Sequence, residues 1–401
     1  MYYFVSEAVS AGHPDKCADI IADSIVDRLL QLDPVAKVAT EVFISGKHII
    51  IGGEVKTSAS VDNSFYEDIT REALKKIGYP ERGFKKNETL FPDEVEIEVY
   101  VSQQSSDITM GVEKANDEIG AGDQGMIFGY ATSEREDYMP TAFAYARQIR
   151  DALYSYALKH PEKLGVDIKT EVVMDYDSKE NFDNCKPQRI AKIIIAIPHA
   201  SDVEVKEVHT LVKKIIAEKV NFKAGHFDED SIEFYINNTG RYVAHSPIAD
   251  SGLTGRKVVC DTYGSYAPIG GGAQSSKDYS KVDRSAIYAA RWLAKHIVAA
   301  GLAKKALVQL SYVIAEPRPI SVTIDTQHTS LSNIKDEELS QIIAEKFALS
   351  PKWIMQKFHL NKPSKERFLY ADIAAKGQVG YMEYPWEELD ELSWFKKLQE
   401  I

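Results

Sequence analysis

Between residues 250 and 291 the chain reads DSGLTGRKVVCDTYGSYAPIGGGAQSSKDYSKVDRSAIYAAR, which gathers glycines, fixed cations and single aspartates into one stretch. Arg256, Lys257, Lys277, Lys281 and Arg284 can converge on an anion, and Gly270, Gly271 and Gly272 let backbone N–H groups approach it closely. A polyphosphate suits such a lining. Asp250, Asp278 and Asp283 stand among the cations as a divalent metal on the same phosphates would require, because Mg²⁺ takes a few carboxylates and shares its shell with phosphate. A glycine-rich loop with solvated charges is the plainer alternative.

A second candidate lies near the start. GHPDK, residues 12 to 16, opens a helix, where backbone donors and the positive dipole end attract anions. Lys16 opposes that dipole unless an anion is bound, and His13 could donate to the same anion. A surface turn with a solvated lysine and a capping histidine reads equally well. Asp15, Asp19, Asp23 and Asp27 recur every four residues; Asp15, beside His13, is the metal candidate, and the rest of the row reads as a solvated face. Glu41 alternates with Ala39 and Phe43, opposite Val38, Thr40, Val42 and Ile44. A carboxylate so flanked on a buried strand needs a partner, and a bound cation is one possibility. Glu54 follows Gly52 and Gly53 and is ambiguous alone.

GAGDQG, residues 120 to 125, has the dinucleotide-binding spacing in the wrong surroundings. That fingerprint needs a strand before it and a helix after, whereas polar EKANDEI precedes and strand-like MIFGYA follows. Asp123 in this glycine-rich turn is better read as a carboxylate held rigidly at a site, or as ordinary turn chemistry. GGGAQSSKD is not a P-loop either, although its backbone could still cradle phosphate.

Composition limits the setting. The 401 residues allow two or three domains, and 44% hydrophobic with 27% charged residues describes a globular chain. With 48 Lys and Arg against 60 Asp and Glu, a net charge of -12 opposes a broad nucleic-acid or membrane surface. The N-terminus lacks a secretory pattern and no apolar run is long enough to span a bilayer, so a cytoplasmic location is expected. Cys17, Cys185 and Cys260 are scattered and read as reduced, mostly buried residues.

Periodicity gives the frame that must position these groups. Helices are expected at 14 to 33, near Asp62, at 138 to 159, 202 to 220, 283 to 300 and 335 to 347. Strands are expected at VATEVFIS, HIIIGGEV, EVEIEVYVS, KTEVVMDY, RIAKIIIAI, LVQLSYVIA and ISVTIDT. Helix, strand, strand, helix thus recurs three times, and we expect an α+β fold of three similar domains with mixed sheets and helices on one face. The domains are set at 1 to 103, 122 to 238 and 239 to 401. Residues 104 to 121, long, polar and bounded by glycine, are expected to form a mobile active-site loop.

GHPDK, GAGDQGMIFGY and GLTGRK…DTYG…GGGA…SKD…SKVDRSA, in that order, resemble the S-adenosylmethionine synthetase (methionine adenosyltransferase) family over essentially the whole chain. The resemblance implies three domains about a pseudo-threefold axis and synthesis of S-adenosylmethionine from ATP and L-methionine, with the tripolyphosphate hydrolysed to pyrophosphate and phosphate. It implies a polyphosphate set of His13, Lys169, Arg256, Lys257 and Lys277, magnesium carboxylates Asp15 and Asp283, and a potassium ligand Glu41. Glu54, Gln104, Asp250 and Lys281 match the methionine side, with Asp123 near the ribose and the reacting centre. Asp167, Arg241, Tyr242 and Ala273 complete the ATP pocket, which Asp250 also borders. A homodimer with shared active sites, pairing further into a homotetramer, is implied as well. The chain departs from the family pattern at Gln274 and Ser276, where Phe and Gly are usual on either side of the shared Ser275, and at Asn238 and Tyr242.

Overall fold

A computed structural model describes residues 1 to 80, 82 to 104 and 120 to 400. The expected mobile loop, 104 to 121, falls outside the described residues except at its ends.

In chain order the main elements begin with β1 (Tyr3–Val9), α1 (Pro14–Leu32), β2 (Lys37–Ser45), β3 (His48–Lys56), α2 (Asn63–Ile77) and β4 (Glu96–Gln103). There follow β5 (Gly125–Thr132), α3 (Thr141–Lys159), β6 (Lys169–Asp175), β7 (Arg189–Ala196), α4 (Val205–Lys219), β8 (Glu233–Ile236) and β9 (Ser251–Leu253). The chain closes with α5 (Val282–Ala299), β10 (Lys305–Tyr312), β11 (Ser321–Asp325), α6 (Asp336–Lys346), α7 (Pro351–Phe358), α8 (Tyr370–Lys376) and α9 (Leu392–Lys397).

Three sheets result, in the orders β4-β3-β2-β9, β1-β6-β7-β8 and β11-β10-β5. The first two are mixed, since β3 pairs with β4 and β7 with β8 in parallel while their other pairs are antiparallel. The third is antiparallel. This is the α+β, three-sheet architecture that the recurring element order predicts.

Each sheet borrows a strand from a distant part of the chain. β1 joins β6, β5 joins β10, and β9 joins β2. The sequence units are therefore stitched together by main-chain hydrogen bonds rather than only packed side by side. α1 lies on β2 and β9, α3 on β1 and β6, and α5 on β5 and β10. α5 is buried from Val282 through Val298, and Gly129 of β5 lies so close that a Cβ there would meet the Ala290 carbonyl carbon at 2.1 Å.

Most boundaries follow local chemistry. α1 starts at Pro14, whose missing N–H costs nothing in a first turn. α3 begins at Thr141 rather than 138, because Pro140 occupies its N-cap. Strands β1, β8 and β9 and helices α7 to α9 are additions to the predicted set. No helix among the described residues is long and apolar enough to cross a membrane.

Candidate active site

The row of aspartates on α1 organises the region. Asp15, Asp19, Asp23 and Asp27 are all buried, so the expected solvated face is instead a covered one. Each takes backbone N–H groups from remote segments: Asp15 from Leu253 at 3.0 Å, Asp19 from Gly255 at 2.9 Å, Asp23 from Ser276 at 2.8 Å, and Asp27 from Tyr370 at 2.8 Å and Ala371 at 2.9 Å. Spacing of four places them along one helical stripe. Loops 252 to 257 and 274 to 278 are thereby laid along α1 in order, and Gly252 lets β9 press close, since a Cβ there would stand 2.1 Å from the Pro14 carbonyl oxygen.

Asp15 has a further role. Its carboxylate meets Arg256 Nε at 2.9 Å and Lys257 Nζ at 2.6 Å. His13, the N-cap of α1, accepts the Asp15 N–H on Nδ1 at 3.2 Å, which leaves the ring proton of the neutral form on Nε2. Burial, joined by the Lys257 ammonium, pushes this imidazole down to about 4. At neutral pH His13 is therefore an uncharged N–H donor. Lys169, opening β6, pairs with Glu7 at 2.6 Å; burial works against its charge, but Glu7 outweighs burial and holds the ammonium above its ordinary pKa. Both Asp250 and Lys169 act electrostatically on His13, so these residues share one neighbourhood. Asp250 is exposed and accepts the Ser251 N–H at 2.7 Å.

Beside them, Asp167 accepts the Tyr242 hydroxyl at 3.3 Å and the Ser246 N–H at 3.0 Å. Arg241 is exposed and donates to the Ser201 carbonyl at 3.2 Å. Ala273 lies against Gly255, where a Cβ would come within 2.6 Å of its own.

A second group forms at the other end of the glycine-rich stretch. Lys277 Nζ lies 2.6 Å from Asp283, in the first turn of α5, and Gly272 passes so near that an added Cβ would stand 2.0 Å from the Asp283 carboxylate. Lys281 pairs with Asp278. Gln104 donates to Glu54 at 3.1 Å, bringing those two residues together at the edge of the first sheet. Asp123 is exposed, with its carboxylate on the Gln124 N–H at 2.7 Å.

Several sequence expectations change here. Lys16 is not an anion ligand: it is buried, with its ammonium 2.7 Å from both oxygens of Asp261 and 3.2 Å from Asp19. Arg284 is fully buried, paired with Asp23 and lying 4.4 Å over the Tyr370 ring, so it cannot join the converging cations. Asp278 is buried as well and takes the N–H groups of Val38 at 2.7 Å and Ser280 at 2.8 Å, which makes it a loop clasp rather than a metal ligand. Burial opposes its charge, yet Lys281 and Lys37 hold it down to about 2. Glu41 is exposed, because Val38, Thr40, Val42 and Ile44 are the face of β2 that packs on α1. Sequence reasoning passes over Glu7, the partner of Lys169; the β-prone run YFVSEAV was its available signal.

Comparison with known proteins gives this geometry its context. Family models for the S-adenosylmethionine synthetase N-terminal, central and C-terminal domains match residues 1–106, 118–242 and 244–388. S-adenosylmethionine synthase 2 of Rhodospirillum rubrum is 40% identical over 395 residues, covering 97% of this chain and 96% of that protein. The S-adenosylmethionine synthase of Fusobacterium nucleatum is 40% identical over 406 residues, covering 100% and 99%. Among solved structures, an unusual S-adenosylmethionine synthetase from Campylobacter jejuni superposes with a TM-score of 0.95 at 52% identity, covering 100% of both chains. With all three domain models matched in order along one chain, the protein belongs to the S-adenosylmethionine synthetase family.

Proposed function

We propose that this chain makes S-adenosylmethionine from ATP and L-methionine. The methionine sulfur attacks ribose C5′, the C5′–O bond breaks, and its electrons leave with the triphosphate, which is hydrolysed to pyrophosphate and phosphate before release. Family membership supports the reaction, and the observation that carries it to these residues is Asp15, buried at the start of α1 and bound by both Arg256 and Lys257 beside His13.

The chemistry suits such a site. A thioether sulfur is a nucleophile with no proton to remove, so the first step asks for no general base. It asks for alignment of sulfur with C5′ and for stabilisation of a departing polyanion. His13, as a neutral donor, would bind triphosphate with Lys169, Arg256, Lys257 and Lys277. Asp167, Arg241, Tyr242, Asp250 and Ala273 would hold the nucleotide, and Glu54, Gln104, Asp123, Asp250 and Lys281 the methionine.

The carboxylates also fit the implied metals. Asp15 and Asp283 each offer one carboxylate next to cations, and among the described residues no group of three or more His, Cys, Asp and Glu side chains could cage a metal. Magnesium bound mainly by phosphate needs no more, since it keeps to one or two carboxylates plus substrate oxygens. Two such ions would neutralise charge on the leaving triphosphate. Glu41, exposed on the outer face of β2, would hold potassium.

That same outer face leaves Phe43, Ile50 and Tyr100 exposed, and Met126 is exposed at the start of β5. An apolar face of this kind is suited to a second copy, which supports a homodimer with shared sites; the family resemblance alone implies the further pairing into a tetramer. ATP as substrate and buried cysteine thiols agree with a cytoplasmic location.

Product analysis with ATP and methionine tests the reading. A sulfonium nucleoside with pyrophosphate and phosphate is expected; ADP or AMP would point to a kinase or ligase instead, and no turnover would point to a nucleotide-binding module.

A further inference from the structure

We propose that Ser276 and Asp23 are positioning residues for Lys277, setting through the main chain where its ammonium meets the triphosphate; this rests on the reading of Lys277 as a polyphosphate ligand. Ser276 has a φ of 81°, in the left-handed region that favours glycine. A serine remains there only where its surroundings over-determine the conformation, and such residues gather at functional sites.

The surroundings do so here. The Ser276 N–H donates to Asp23 at 2.8 Å, and its carbonyl accepts the Thr40 N–H at 3.2 Å. Beyond Lys277, the Asp278 N–H donates to the Val38 carbonyl at 3.1 Å while its carboxylate accepts the Val38 N–H at 2.7 Å. Lys277 itself bridges to Ala39. The Ser276 hydroxyl is buried and has no hydrogen-bond partner among the described residues, so the residue is held by its backbone. Asp23 is fixed in turn by the buried Arg284.

The consequence is a choice of face. Directly paired residues project to the same side of a sheet, so the bridge to Ala39 sends Lys277 to the outer face, the one that carries Glu41. Its neighbours Ser276 and Asp278 are buried accordingly. A slip of one residue would turn Lys277 inward against α1. The left-handed bend at Ser276, clamped by Asp23, holds that register.

The test compares Ser276→Val, Ser276→Gly, Lys277→Ala and the double variant Ser276→Val with Lys277→Ala. Calorimetry reads magnesium tripolyphosphate affinity, and steady-state kinetics read kcat and the methionine KM. Valine is β-branched and resists φ near 81°, so Ser276→Val should weaken tripolyphosphate binding about tenfold or more and lower kcat, with methionine KM unmoved. Ser276→Gly should bind tripolyphosphate as tightly as wild type, and Ser276→Val should add nothing once Lys277 is alanine. Wild-type binding by Ser276→Val, or an equal loss in the Lys277→Ala background, overturns the inference alone. If Lys277→Ala itself binds tripolyphosphate normally, the polyphosphate reading of Lys277 fails and the inference with it. Should Ser276→Val not fold, Ser276→Thr and Ser276→Asn carry the same comparison, because threonine is β-branched and asparagine tolerates the left-handed region. Loss with threonine and not with asparagine supports the inference, and equal binding overturns it.

Discussion

Lys277 and Asp283 face each other at 2.6 Å, a cation and a carboxylate that satisfy one another. Triphosphate and its metal would take one partner each. Lys277→Ala should therefore lower kcat by roughly 10²- to 10³-fold, about 3 kcal/mol of barrier, by analogy with loss of one preorganised oxyanion donor. The methionine KM should move little. Unchanged turnover at saturating substrates would remove Lys277 from the site.

Lys16 offers the opposite case, a cation near the site whose work is structural. Its ammonium separates the buried carboxylates of Asp19 and Asp261. Removing one partner of a buried ion group leaves uncompensated charge, so Lys16→Met should destabilise the fold by about 3–5 kcal/mol. Urea denaturation checks it. A normal midpoint combined with weak ATP binding would return Lys16 to the anion site.

His296 predicts a pH dependence. Its Nδ1 lies 2.8 Å from the Trp292 carbonyl oxygen and its Nε2 accepts the Glu391 N–H at 3.2 Å, an arrangement that only the neutral ring satisfies. Burial pushes it down to about 4, with Lys357 and Lys295 acting the same way and Asp390 opposing. A depressed folded pKa means that the unfolded chain binds more protons, so this contribution is present above about 6.5 and lost as pH falls towards 4. The full loss is roughly 3 kcal/mol. Urea unfolding between pH 7 and pH 5 should show stability falling with pH, and His296→Phe should flatten that slope. Equal slopes in the two proteins would contradict the assignment.

Glu41 is proposed to bind potassium on the outer face of β2. Replacing potassium with tetramethylammonium at fixed ionic strength should lower activity, and Glu41→Gln should lose most of that difference. A wild-type enzyme indifferent to the exchange would leave Glu41 without this role.

How much of this was legible depended on the range of the interactions. α1 could be read because Ala18, Ile21, Ala22, Ile25 and Leu29 repeat with helical period behind Pro14, all local facts. The aspartate row could not be, since carboxylates every four residues look solvated unless loops cover them, and the covering loops lie more than 230 positions away. Lys16 and Arg284 read as anion-facing cations in the sequence for the same reason: their partners Asp261 and Asp23 are remote in sequence. Glu41 looked buried because alternation identifies two faces without saying which is covered. Lys277 and Asp283, six residues apart within one glycine-rich stretch, were visible as a pair of charges, but the clamp on Ser276 required the fold.

In the proposed reaction the bond broken in ATP is the one between C5′ and its oxygen, and isotope tracing follows that bond. ATP carrying ¹⁸O at the oxygen bridging C5′ and the α-phosphorus would be turned over with methionine, and the products analysed by mass spectrometry. All of the label is expected in pyrophosphate or phosphate and none in the adenosyl product. Label retained on an adenosine-containing product would contradict it, because cleavage would then have occurred at phosphorus.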